Sequence, residues 1–117
     1  MKLKDVINRL NIKVLCGFAD SETEITGAYT SDLLSDVMGR AKNGHAWITM
    51  QTHKNIVAVA SLKELPLVII VNGNMPDDDT LEAARAENIM IAGTGDAAFR
   101  ISGRLYKLFE ENALVQD

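Results

Sequence analysis

Helical and extended hydrophobic patterns alternate from the start of this chain. Apolar side chains recur at helical spacing over residues 4–10 and predict a short first helix, while Ile12 to Leu15 predicts a strand that ends at Gly17. A polar loop over residues 18–24 follows, and Ile25 to Tyr29 then predicts a second strand.

The middle of the chain continues this alternation. Ser31 and Asp32 are suitable N-cap residues for a helix with apolar positions between 33 and 38, which we expect to end at the Asn-Gly pair 43–44. The segment from His45 to Met50 predicts a third strand.

The run from Asn55 to Leu65 is apolar nearly all round and rich in β-branched residues, so a strand and a buried helix compete there. Its length favours the helix, which Thr52 can cap. Leu67 to Val71 consists of consecutive apolar residues, which is typical of a central parallel strand covered on both faces.

The last third of the chain begins with three aspartates at 77–79, which open a helix reaching Glu87. Asp79 and Glu82 have the spacing of a capping box. Ile89 to Ile91 predicts the last strand, and a final helix carries the apolar residues Phe99, Ile101, Leu105, Leu108 and Phe109. Residues 112–117 are expected to fray.

A strand followed by a helix, repeated four times, predicts an α/β fold. We therefore expect residues 1–117 to form a single compact domain, with a mostly parallel sheet and flanking helices. The composition agrees, since 47% of the 117 residues are hydrophobic and 24% are charged. Such a chain has enough apolar surface to fold.

Charge and cysteine content exclude several classes of partner. The formal net charge is −4, and Lys and Arg do not cluster, so nucleic acid is not expected to bind. The first residues are charged rather than apolar, and the apolar run 56–60 is too short to span a membrane. Cys16 is the single cysteine, so the chain has no internal disulfide and we expect a cytoplasmic protein.

Polar residues follow four of the predicted strands. If these strands are parallel neighbours, their carboxyl ends meet at one edge of the sheet, which is where α/β proteins bind ligands. The candidate ligand-binding residues are Ser31, Asp32, Gln51, Thr52, His53, Asn72 and Thr94. The alternative is that they are caps and turn residues, as such residues usually are.

No catalytic or metal-binding constellation is evident in the sequence. The two histidines have no Cys or carboxylate partners at the spacing of a metal site, and a P-loop motif is missing. His53 could act as a base or contact a phosphate, and an enzyme using His53 and Asp32 is the least favoured of three hypotheses. We expect no cofactor and a binding protein rather than an enzyme.

Several segments resemble a known family, the DRTGG domain, and the related N-terminal domain of bacterial HPr kinase/phosphorylase. The resemblance covers about residues 3–109. It is carried by Leu3 to Val6, Leu10 to Leu15, Ile25 to Met38, Ala46 to His53 and Gly103 to Tyr106. One departure is Gln51-Thr52-His53-Lys54, where many members of the family have a Gly-Asp-Arg-like turn.

This resemblance implies a fold like the HPr kinase N-terminal domain and an accessory, regulatory or oligomerising role. Stand-alone copies are similar to proteins encoded beside iron-only hydrogenase subunits, which implies a link to redox metabolism. The kinase half has no counterpart in this sequence, so kinase activity is not implied.

The leading hypothesis is therefore a regulatory module, a homodimer, that binds a nucleotide, another small anionic ligand or a partner enzyme. The alternative is an assembly subunit without a ligand. A concave pocket at the four strand ends would favour a ligand, and exposed apolar positions on the last helix would favour assembly.

Overall fold

A computed structural model describes residues 1–18 and 21–112. Residues 113–117, which were expected to fray together with Asn112, lie outside this description. Two positions of the predicted loop 18–24 lie outside it as well. The described residues form the helices α1 (Leu3–Leu10), α2 (Leu34–Arg40), α3 (Asn55–Lys63), α4 (Asp78–Ala86) and α5 (Ala98–Glu111). The strands are β1 (Lys13–Cys16), β2 (Gly27–Thr30), β3 (His45–Thr49), β4 (Leu67–Ile70) and β5 (Met90–Gly93).

The five strands form one sheet in the order β1-β5-β4-β3-β2. Strands β2 to β5 are parallel to one another, and β1 pairs with β5 in the antiparallel direction. The predicted α/β fold with a mostly parallel sheet is thus confirmed. The element order also follows the predicted alternation, although α2 ends at Arg40, ahead of the predicted Asn-Gly pair, and β2 begins two residues late.

Two apolar clusters lie on opposite faces of the sheet. One joins α1 and α5 to the sheet, and the other joins α2, α3 and α4 to the opposite face. Between them β4 is fully buried along its length, which is what its unbroken apolar sequence predicts. Trp47 of β3 is also fully buried and packs in the cluster on the α2–α4 face.

Three predicted helix caps are wrong, because the chain begins these helices at other residues. Neither Ser31 nor Asp32 caps α2, whose N-cap position is Leu33 and carries no side-chain hydrogen bond. Thr52 does not cap α3, which follows Lys54 and also lacks a side-chain cap. Asp79 lies inside α4 rather than ahead of it, so it forms no capping box.

Candidate functional site

The seven residues singled out from the sequence lie at one edge of the sheet. Strands β2, β3, β4 and β5 are parallel neighbours, so the chain leaves all four on the same side. We call the segments 30–32, 50–53, 71–74 and 94–96 the carboxyl edge. It contains Ser31, Asp32, Gln51, Thr52, His53, Asn72 and Thr94.

Asp32 links the ends of β2 and β3. Its Oδ1 atom accepts a hydrogen bond from the Thr49 hydroxyl at 2.8 Å and another from the backbone N–H of Met50 at 2.7 Å. The side-chain amide of Gln51 donates to the Asp32 carbonyl oxygen at 3.0 Å. Because Thr49 is buried, the Asp32 carboxylate satisfies a hydroxyl that has little access to water.

Ser31 lies in the turn between β2 and α2. Its carbonyl oxygen accepts the indole N–H of Trp47 at 2.8 Å, and its hydroxyl oxygen accepts the N–H of Leu33 at 3.2 Å. The backbone of Ser31 is therefore tied to the buried core, and its side chain stabilises the turn.

Thr52 and His53 connect the end of β3 to the start of α4. The Thr52 carbonyl oxygen accepts the N–H of Asp77 at 3.3 Å and the hydroxyl of the buried Thr80 at 2.8 Å. His53 Nδ1 lies 3.0 Å from Asp77 Oδ2, and both side chains are at least half exposed. This exposed pair leaves the imidazole accessible from solvent.

Asn72 and Thr94 join the ends of β4 and β5. Asn72 has a left-handed backbone, with φ of 62°, and its N–H donates to the Asp96 carbonyl at 2.9 Å. The Thr94 carbonyl accepts the N–H of Gly73 at 2.9 Å, and its hydroxyl oxygen accepts the N–H of Asp96 at 3.1 Å. Turn geometry therefore accounts for much of what these two residues do in the described structure.

Sequence reasoning missed three residues that organise this edge. Thr49 holds Asp32, Asp77 pairs with His53, and Arg104 of α5 binds the carboxylate of Asp96 at 3.0 Å. Thr49 could have been found, because it is a polar residue at the end of a buried strand and so needs a partner. Asp77 lies 24 residues beyond His53, past another strand, whereas Arg104 is only eight residues from Asp96, in the helix that follows it.

The starts of α3 and α5 give the edge a capacity for anions. Neither helix has an acidic residue in its first turn, and neither has a side-chain cap, so their first N–H groups are not occupied by carboxylates of the described residues. His53 and Lys54 precede α3, and Arg100 lies in the first turn of α5. The third helix that starts here, α4, begins with Asp78 and Asp79 instead. An anion therefore finds uncapped N–H groups at two helix starts, although Asp77 pairs with His53 at 3.0 Å beside α3 and Asp96 pairs with Arg100 at 3.6 Å beside α5.

Two cavities of the described residues open mainly elsewhere, although the first reaches Thr30 at the carboxyl edge. One is a cleft of about 720 Å³ beside β2 and α5, which we call the β2 cleft, and its lining includes Ala28, Thr30, Lys42, His45, Ser102 and Tyr106. A second, of about 630 Å³, lies at the amino ends of β4 and β5. None of the seven candidate residues lines either one.

Large apolar side chains are exposed at the carboxyl edge. Leu33, Met50 and Met75 follow β2, β3 and β4 and are 64%, 48% and 64% exposed, and Phe99 at the start of α5 is 93% exposed. Phe99 was expected among the apolar residues of the last helix, and the structure turns it to solvent while Ile101 is buried. This edge is therefore a mixed polar and apolar surface rather than a closed pocket.

Two features are missing from residues 1–18 and 21–112. No helix in these ranges combines the length and apolarity that a membrane crossing requires. Nor do these ranges bring three or more His, Cys, Asp or Glu side chains together as a metal site would.

The fold resembles part of a solved structure from another protein. No family model matches the chain, and no curated protein matches it. A solved structure with a similar fold contains the CBS and DRTGG domains of the regulatory region of Clostridium perfringens pyrophosphatase, complexed with its activator diadenosine tetraphosphate. The TM-score is 0.66 at 16% identity, over 89% of this chain and 45% of the other. This chain shares a fold with part of that region.

At this low identity the likeness concerns the fold, and it supports the DRTGG resemblance at that level. The chain spans less than half the length of the pyrophosphatase structure. Similarity to the HPr kinase domain and the link to redox metabolism stay expectations of the sequence resemblance.

Proposed function

We propose that this chain is a cytoplasmic regulatory module that binds a nucleotide or another small anionic ligand at the carboxyl edge. The observation that carries the proposal is the meeting of four polar strand ends where α3 and α5 begin with no side-chain cap and no acidic residue in the first turn. The similar fold of a regulatory region that is complexed with a dinucleotide activator supports it. The ligand-binding residues proposed are Ser31, Asp32, Gln51, Thr52, His53, Asn72 and Thr94.

His53 is the side chain best placed to contact an anion at this edge. Its ring is 72% exposed by side-chain area, and its pair with Asp77 is an exposed one that contributes little to stability. Replacing His53 with Ala should therefore weaken binding and leave the fold intact. Lys63→Ala removes a basic side chain from the other end of α3 and is the matched control.

The test is thermal unfolding with ATP, AMP and inorganic phosphate, each with and without magnesium. A compound that binds the native state at about 100 times its dissociation constant stabilises that state by about 2.7 kcal/mol, which raises the melting temperature. We expect a shift with at least one probe, reduced in His53→Ala and kept in Lys63→Ala. No shift with any probe, or an equal shift in both variants, would contradict the proposed site.

A regulatory role is proposed rather than a catalytic one. Asp32 and His53 hydrogen-bond to different partners, Thr49 and Asp77, rather than to each other. Phosphoryl transfer also needs a metal–phosphate cradle and a positioned base. Purified protein incubated with labelled ATP and magnesium should gain no label above a heat-killed control. Labelling that is lost in His53→Ala, or in Asp32→Asn, which keeps an acceptor oxygen for Thr49, would instead support the enzyme hypothesis.

Assembly is the second candidate function, and the exposed apolar side chains favour it. Leu33, Met50, Met75 and Phe99 give the carboxyl edge an apolar surface that a second copy or a partner enzyme could cover. We propose a homodimer through this surface. Light scattering should give twice the mass of the 12.8 kDa chain, and Phe99→Ser should return it to the monomer. A monomer in the unmodified protein would count against the dimer and leave the ligand test unaffected.

A further inference from the structure

Strand β2 is an open edge of the sheet. It has β3 on one side and no strand of the described residues on the other. The N–H of Ser31 donates to the Ile48 carbonyl at 3.2 Å, and successive residues of an extended strand turn their backbone groups to opposite sides. Ala28 and Thr30 therefore turn their N–H and C=O groups away from β3, and no described loop or helix bonds to them.

The two edges of the sheet differ in how they are protected. At the other edge, β1 carries the exposed Lys13 and an irregular register between Val14 and Cys16, both of which discourage further pairing. Strand β2 has the sequence Gly-Ala-Tyr-Thr, with no charge and no proline, and its register with β3 is continuous. An unprotected edge of this kind is a template for another extended chain.

The β2 cleft runs alongside this open edge. Ile48 and Phe109 are buried and form apolar parts of its lining, and Tyr106 is 56% exposed. Thr30 and Ser102 meet there through their hydroxyl oxygens at 2.8 Å. The cleft thus combines an apolar floor with polar groups beside exposed backbone.

Two features restrict the chemistry of the occupant. His45 Nδ1 accepts the backbone N–H of Lys42 at 3.2 Å, so the other ring nitrogen, Nε2, holds the proton as a donor in the cleft lining. The ammonium of Lys42 has no carboxylate within 4.0 Å among the described residues, whereas Glu24 is paired with the N-terminal amino group. An occupant with an acidic side chain complements this rim.

We propose that β2 and the β2 cleft bind an extended peptide segment of a partner protein. The segment pairs with the backbone of Ala28 and Thr30 and places a bulky apolar side chain over Ile48 and Phe109, with an acidic residue near Lys42. A second copy of this chain fits less well, because β2 offers only Ala28 and Thr30 on the cleft face, and these side chains are too small to fill it. This proposal does not depend on a ligand at the carboxyl edge.

The probe is a library of N-acetylated heptapeptides with Leu, Phe or Tyr fixed at the centre and any residue except proline elsewhere. We expect the best members to bind the full chain with dissociation constants on the order of 10–100 μM. Ala28→Pro removes the outward N–H without touching the ladder to β3, and it should weaken binding about tenfold or more. Ala28→Ser keeps the N–H and is the matched control, which should bind like the unmodified chain.

Amide hydrogen exchange measured by NMR gives the specific signature. On peptide binding, exchange should slow at Ala28 and Thr30, while Tyr29, whose N–H already faces β3, should change little. A peptide N-methylated at the amides that face β2 should not bind, and this control holds even if Ala28→Pro fails to fold.

Three results would overturn the proposal. They are no binding by any library member at about 1 mM, binding that tolerates N-methylation, and slow exchange at Ala28 and Thr30 in a peptide-free dimer. The last result would indicate that β2 pairs with a second copy of this chain instead.

Discussion

Removal of the Asp32 carboxylate should destabilise the whole domain, although the side chain lies at the surface. In Asp32→Ala the Thr49 hydroxyl and the Met50 N–H both lose their acceptor. Thr49 is only 1% exposed, so water cannot readily replace the carboxylate there. Met50 is 48% exposed, and its N–H can turn to solvent.

The expected loss follows from this difference in burial. A buried donor left without a partner costs about 1–3 kcal/mol, and a hydrogen bond to a charged group that water can replace contributes less. We therefore expect Asp32→Ala to lower the free energy of unfolding by about 2–3 kcal/mol. Asp32→Asn keeps an acceptor oxygen for Thr49 and should lose about 1 kcal/mol.

Urea unfolding followed by the fluorescence of the buried Trp47 measures these losses. A double-mutant cycle with Thr49→Val isolates the bond between the two side chains, and we expect a coupling energy of about 1–2 kcal/mol. A loss below about 0.5 kcal/mol in Asp32→Ala, or additive losses in the cycle, would refute the role assigned to this carboxylate.

Three other changes test separate parts of the structure. Burial and the nearby charge of Lys42 hold the pKa of His45 below its ordinary value of 6.5. The folded state therefore favours the neutral imidazole, and the stability that goes with it is present above pH 6.5 and is lost as the pH falls through the lowered pKa. His45→Gln should therefore flatten the fall of unfolding free energy in urea titrations below pH 6.5. Thr80→Val removes a buried hydroxyl that donates to a backbone carbonyl at 2.8 Å, and calorimetry should show a loss of about 1–2 kcal/mol, whereas a neutral change would contradict the bond. Gly44→Ala should lower the free energy of unfolding by more than about 1 kcal/mol, because Gly44 has a φ of +85° and an added Cβ would meet the Thr26 hydroxyl at 2.7 Å. Gly103→Ala, at an open helical position, should raise the free energy of unfolding by about 0.5–1 kcal/mol. Equal effects of the two substitutions would exclude this explanation.

The sequence predicted the order of the strands and helices and the burial of the central strand, because both follow from local hydrophobic patterns. The unbroken apolar run of β4 predicts a covered central strand, and the repeated strand–helix order predicts that the polar strand ends meet at one edge. Side-chain partners at that edge were not predictable in the same way. The local sequence around Asp32 predicts a helix cap, but the side chain accepts a hydrogen bond from Thr49 of the next strand. The partner of His53, Asp77, follows a further strand and turn.

The edges of the sheet were also beyond local reasoning. The sequence of residues 13–16 does not predict that β1 pairs with β5 in the antiparallel direction, because that pairing depends on a strand much later in the chain. The open side of β2 likewise follows from the strand order and not from its own sequence. For the same reason the β2 cleft was missed, since its walls come from β2, β3 and α5 together.

The pairing of β1 with β5 has a consequence for how the chain folds. Every other strand pair joins consecutive strands through one helix, whereas Lys13 must meet Gly93, which lies beyond the three other strands in the chain. Closing the longest loop carries the largest entropic penalty, so we expect β1 to dock last. Until then β5, with the apolar sequence Met-Ile-Ala-Gly, is a bare sheet edge. Loss of β1 should therefore lead to aggregation during refolding and not to a smaller stable domain.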